Sequence, residues 1–137
     1  MTPFEPARWT ISTLAKAIAK KDLSPVEVVR ACLERIEAYD KQINAFITVL
    51  PKQALKSARR AEKEILRGRY IGPLHGIPFA AKDLFFVKGI RNTCGSKILT
   101  DFIPKYDAAV IERLFSAGAI LLGKLNMHEF ANGPTSV

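Results

Sequence analysis

Between Ile77 and Leu122 the residues read strand, helix, strand, and that order restricts the chain more than any other feature of it. The first strand is centred on Phe79. A helix is predicted next, capped by Asp107, running through Val110, Ile111, Leu114 and Phe115 and closed by Gly118. Ala119 to Leu122 then forms a continuous apolar run, the pattern of a strand covered on both sides. A strand returning through a helix to a second strand makes a βαβ unit, and its parallel sheet needs cover on both faces. The fold is therefore expected to be α/β.

The residues ahead of this unit open with two predicted helices. Ile11, Leu14, Ala15 and Ile18 recur at helical spacing after Thr10, a candidate N-cap. Ser24-Pro25-Val26-Glu27 combines an N-cap serine, proline at the first helical position and glutamate at the third, a capping box. Val28, Val29, Cys32, Leu33, Ile36 and Tyr39 form the expected buried face of that second helix. Asn44 to Leu50 is too short for a helix and rich in β-branched and aromatic residues, so it is read as a strand. Pro51 ends it, and a basic helix runs on to Gly68, a residue suited to the left-handed C-cap conformation. Gly72-Pro73-Leu74-His75-Gly76-Ile77-Pro78 is punctuated as a loop. The organisation expected is a helical opening over about residues 10–40 and a sheet-forming part over about 44–137, within one domain.

Charge is uneven along this frame. The formal net charge of +8 raises the question of an anionic partner. Lys52, Lys56, Arg59, Arg60, Lys63, Arg67 and Arg69 face only Glu62 and Glu64, so the basic helix and the residues just after it hold most of the surplus. There Ala54, Ala58, Ala61 and Ile65 make an apolar stripe, with Lys52, Lys56, Arg59 and Lys63 on the opposite side. That is the pattern of a solvated outer face, and it lacks aromatic residues for base stacking, so nucleic acid is not the expected partner. No apolar run approaches the roughly 18 residues of a membrane span, and the start lacks a signal peptide's apolar stretch, so the expected location is cytoplasmic. Cys32 and Cys94 have neither metal-clip spacing nor disulfide density and are read as reduced thiols, Cys32 as part of the core.

The stretch GPLHGIPFAAKDLFFVKGI is the richest in chemistry. Lys82 and Asp83 are its only charges between Ile77 and Val87. Apolar surroundings disfavour an ammonium ion, which is how a protein obtains a lysine able to accept a proton near neutral pH. Asp83 does not simply neutralise Lys82, because successive strand side chains point to opposite faces. The competing structural reading is a strand-end lysine extending its head into water. Composition nominates Lys82 without deciding between the two. Cys94 with His75 or His128 shows no third orienting group, and the same three residues lack the spacing of a zinc site. Both histidines are read as polar loop positions. No phosphate-binding glycine pattern is present.

Taken with NTCGSKIL and YDAAVIERLFSAGAILLGKLNMHEFANG, the stretch resembles the opening portion of the amidase signature family. The match covers nearly the whole chain. It implies helices around a mixed β-sheet, present here only in its N-terminal part, and hydrolysis of a carboxamide C–N bond by a Ser, cis-Ser, Lys triad. By this resemblance Lys82 takes the place of the catalytic lysine, whose neutral amine accepts a proton through the cis-serine and so activates the nucleophile. Backbone N–H groups of the family's Gly- and Ser-rich signature would hold the oxyanion. No metal or organic cofactor is implied.

That signature is expected beyond NMHEFANGPTSV. The 137 residues are thus expected to lack both catalytic serines, to be inactive alone and to tend to self-associate. Ser96 and Ser136 fall in segments that resemble non-catalytic parts of the family and are given no nucleophilic role. The resemblance implies a small-molecule amide as substrate. KGIRNTCGSKIL and GKLNMHEFANG are also similar to the A subunit of the tRNA-dependent glutamine amidotransferase, which would bring partner subunits. GPTSV departs from the usual continuation in that protein, which tips the sequence reading towards a stand-alone amidase. A third expectation, from a different class, is a non-catalytic fragment that binds through its basic helix.

Overall fold

A computed structural model describes residues 5–134. Its elements are α1 (Ile11–Lys20), α2 (Pro25–Ile43), β1 (Phe46–Val49), α3 (Pro51–Leu66), β2 (Pro78–Lys82), α4 (Ala109–Ser116) and β3 (Ile120–Leu125), with short 3-10 turns at Pro6–Arg8, Lys97–Leu99 and Glu129–Ala131.

The sheet order is β1-β3-β2. β2 and β3 are parallel, as the βαβ reading requires, and β1 joins the other side of β3 antiparallel, which makes the sheet mixed. Helices cover both faces. On one, Val29 of α2 and Ala54, Ala58 and Ala61 of α3 pack on Ile120 and Leu122. On the other, Ile111 of α4 packs with Ala81, Val87 and Leu121. α1 is held by a third cluster in which Leu14 and Ile18 meet Leu23, Val28, Ile65 and Ile77. The basic residues Lys52, Lys56, Arg59 and Lys63 are all exposed, as their helical phase demands.

Helix starts agree with the local code in two places. The Thr10 hydroxyl accepts the Thr13 N–H, and at α2 the Ser24 hydroxyl accepts the Val26 N–H while Glu27 accepts the Ser24 N–H at 2.9 Å. The third differs. Asp107 does not cap α4, whose N-cap is Ala108; its carboxylate instead accepts the Lys88 N–H at 2.6 Å. Two further expectations are corrected and one is extended. Tyr39 is half exposed rather than buried, with the Arg35 guanidinium 5.4 Å from its ring centroid. The first strand is shorter than Asn44–Leu50, because Asn44 forms the left-handed C-cap of α2 and Asp40 accepts the N–H groups of Ala45 and Phe46. Pro51 opens α3 as well as ending the strand, with Leu50 as the N-cap.

Two glycines are fixed by close approach. Gly118 has φ +83, and a Cβ there would lie 2.6 Å from the His75 ring. At Gly123 a Cβ would run into the Thr48 carbonyl oxygen and lie 3.0 Å from the Phe46 ring, so only glycine lets β1 come this near β3.

Candidate active site at the end of strand β2

Lys82 is the last residue of β2, paired across the parallel ladder with Leu125, and its side chain is exposed. Nothing among the described residues buries its amine, so the desolvation inferred from its apolar neighbours is not supplied by this part of the molecule. Apolar residues close in sequence do not surround a side chain that leaves the strand on its open side.

Asp83 goes the other way. It is fully buried, and its Oδ1 receives the Lys124 Nζ at 2.9 Å while Oδ2 accepts the Thr93 N–H at 2.8 Å and the Thr93 hydroxyl at 2.6 Å. Lys124 also lacks solvent contact and donates its second hydrogen bond to Asn92 Oδ1 at 2.7 Å. Charges withdrawn from water this far persist only when paired and hydrogen-bonded, and both are.

An irregularity in β3 brings Lys124 here. Phe79 pairs with Leu121 but Ala80 pairs with Gly123, so the ladder skips one residue. An extra residue reverses the alternation of faces beyond it. Lys124 is thereby placed opposite Ala81, on the side that Asp83 also reaches. Sequence reasoning missed this residue by ending the strand at Leu122. The available signal was a lysine one glycine beyond an apolar strand run.

The loop after β2 closes over the pair. The Cys94 N–H donates to the Asp83 carbonyl at 3.3 Å, and the Gly95 N–H to the Thr93 hydroxyl at 3.1 Å. Onward, the Phe130 N–H donates to the Cys94 carbonyl at 2.8 Å and the Ser96 hydroxyl to Glu129 at 2.5 Å. Ser96 is buried in that contact and also caps the turn Lys97–Leu99, consistent with a structural role. Ser136 lies outside the described residues.

Of the other nominated groups, Cys94 lies on the loop over this strand end, and the two histidines have partners of their own. Asn92 Nδ2 approaches the half-buried Cys94 Sγ at 3.5 Å. His75 is buried rather than a solvated loop residue, with its Nε2 3.3 Å from Glu64 and its Nδ1 accepting the Ile71 N–H at 3.4 Å. Burial lowers its pKa, outweighing the Glu64 carboxylate, and Arg60 and Arg69 add to the lowering. His128 Nδ1 lies 3.4 Å from the Glu129 carbonyl. Cys32 packs beside Val29 and the α3 alanines, and burial pushes its thiol up despite Arg35 nearby. Among the described residues no group of three His, Cys, Asp or Glu could hold a metal, and no helix is long and apolar enough to cross a membrane.

The comparisons agree with this architecture. The chain is 49% identical over 127 residues to the A subunit of the glutamyl-tRNA(Gln) amidotransferase of Geobacter sp. (strain M21), covering 93% of this chain and 26% of that protein. Its counterpart in Geobacter sulfurreducens is 51% identical over 124 residues, with 90% of this chain and 25% of that protein covered. Among solved structures, the native peptide amidase of Stenotrophomonas maltophilia superposes with a TM-score of 0.88 at 36% identity, covering 95% of this chain and 27% of that one. A fatty acid amide hydrolase superposes with a TM-score of 0.87 at 27% identity, covering 93% and 23% respectively. The chain thus spans about a quarter of the length of the relatives it matches. With the family model Amidase matching residues 27–137, the chain belongs to the amidase family.

Proposed function

We propose that this chain provides the lysine-bearing part of an amide hydrolase, with Lys82 as the group that accepts a proton from the nucleophilic relay. The observation that carries the reading is the end of β2, where Lys82 is exposed while the adjacent carboxylate is buried and bound to another cation. A lysine serves as a base only as the free amine, and an adjacent free carboxylate would favour its ammonium form. The serines and the surface that would close over Lys82 belong, on this reading, to the part of the family fold that the chain does not span.

The substrate is proposed to be a carboxamide, cleaved to a carboxylic acid and ammonia or an amine. A narrower reading, an amidotransferase component that releases ammonia from glutamine with partner subunits, is favoured by identities of 49% and 51% to such proteins against 36% to the peptide amidase. The first experiment is the intact mass of the protein from its source cells beside the 15.2 kDa of this chain, followed by amide hydrolysis assays of that protein and its Lys82→Ala variant. A larger mass and loss of at least ~10³-fold in kcat on Lys82→Ala are expected. Full activity in Lys82→Ala would remove the lysine from the mechanism. Ammonia release from glutamine that depends on added partner subunits would identify the narrower reading, and turnover of simple amides without them would exclude it.

A further inference from the structure

The buried pair Asp83–Lys124 takes two charges out of water directly beside the candidate base. Apolar residues of similar volume often fill such a place at no cost in stability, so a buried ion pair calls for another reason to be there. We propose that Asp83 and Lys124 are positioning residues for Lys82: their pairing turns residue 83 inward, which sets residue 82 outward, and it occupies the carboxylate next to Lys82 with a different cation. The inference rests on the reading of Lys82 as the base.

The geometry supports each half. Asp83 is anchored at both ends, its N–H donating to the Leu125 carbonyl at 3.1 Å and its carboxylate taking one ammonium and two Thr93 donors. With alternation along the strand, that anchor fixes the direction in which Lys82 leaves the sheet. The charged and titratable groups gathered at this strand end are Asp83 itself, Lys124 on β3, the Cys94 thiol on the covering loop and Glu129 on the following turn, which is bound by the Ser96 hydroxyl. With the Lys124 charge removed, Asp83 keeps its two Thr93 donors but has no cation left to share its negative charge. Any charge it then carries is uncompensated, adjoins Lys82 in the chain and favours the ammonium form.

The test uses the active protein as it exists in the cell and reads kcat/KM for amide hydrolysis against pH, whose acid limb reports the free enzyme's base. In Lys124→Met the acid limb is expected to move up by about 0.5–1 pH unit, and in the double variant Asp83→Asn/Lys124→Met it should return to the parent position. The double variant should still lose about tenfold or more in kcat with KM little changed, since residue 83 has lost its charged anchor. Lys124→Arg keeps the charge and should keep the limb in place. An unmoved limb in folded Lys124→Met, or a double variant within about twofold of the parent kcat, overturns the proposal. Where Lys124→Met does not fold, the double variant decides alone, because both its groups are neutral and its kcat criterion stands. If Lys82→Ala retains activity, the underlying reading fails. If Lys82→Ala is inactive while these criteria are not met, only the positioning role fails.

Discussion

Lys82 and Lys124 stand on neighbouring strands in opposite surroundings, one exposed and the other fully buried, though each adjoins apolar residues in sequence. The exposed strand-end setting of Lys82 is one of the two readings that its local sequence offers. The setting of Lys124 was not legible, because its burial depends on a skipped pairing in the ladder and on partners at positions 83 and 92, which no local window contains. His75 was misread for a similar reason: it stands in a glycine- and proline-rich turn, yet Glu64, Tyr70 and Gly118 enclose it. Its Nδ1 accepts a backbone N–H, so the neutral ring carries its proton on Nε2, facing Glu64. Protonating Nδ1 would break the Ile71 bond. Since the folded pKa lies below the unfolded value of about 6.5, the unfolded chain takes up the proton first as pH falls. Stability should be level above pH ~6.5 and decline below it, by at most ~1.4 kcal/mol per pH unit, until the folded-state pKa is passed. Urea unfolding of the parent and His75→Gln between pH 7.5 and 5 measures this, and an equal decline in both would assign it to other groups.

At the scale of single elements, features written within one turn were read correctly and features set across the fold were not. The capping box of α2 needs only residues 24 to 27, and it forms as the sequence implies. Ser24→Ala should cost about 1 kcal/mol by denaturant unfolding, and somewhat more for loss of the hydroxyl's contact to Glu62. Asp107 illustrates the opposite case, since a helix-start aspartate was claimed by the Lys88 N–H, 19 residues away in sequence. The apolar run at 119–122 revealed a buried strand but not its end, because Gly123 and Lys124 break the hydrophobic pattern while remaining in the ladder. Gly123→Ala should destabilise by about 1–3 kcal/mol, because the obstacle is the Thr48 backbone and not a side chain free to move. The urea midpoint reads this directly, and an unchanged midpoint would mean that β1 can withdraw from β3 without loss.

For the molecule as a whole, the βαβ unit and its coverage on both faces followed from the order of elements, whereas the antiparallel β1 and the placement of α2 and α3 on one face did not, since they arise from long-range packing. The same architecture decides how the 137 residues should behave in isolation. β1 and β2 are both sheet edges among the described residues, and unpaired edges offer N–H and C=O groups to another chain. Between β2 and α4, Phe85, Ile98, Phe102, Ile103 and Tyr106 are exposed, with Ile98 retaining 82% of its accessible surface. Tyr106 and Phe102 lie against Phe86, at 5.5 and 5.3 Å between ring centroids, so aromatic surface is grouped and not scattered. Grouped apolar surface beside open edges favours association, and the net charge of +8 acts against it. Sedimentation of the purified 137-residue chain should therefore show concentration-dependent species above 15.2 kDa, and Ile98→Lys with Ile103→Lys should shift the distribution towards monomer. A single 15.2 kDa species at every concentration, melting reversibly, would mean that these edges and this patch do not need the covering that the longer relatives have chain enough to supply.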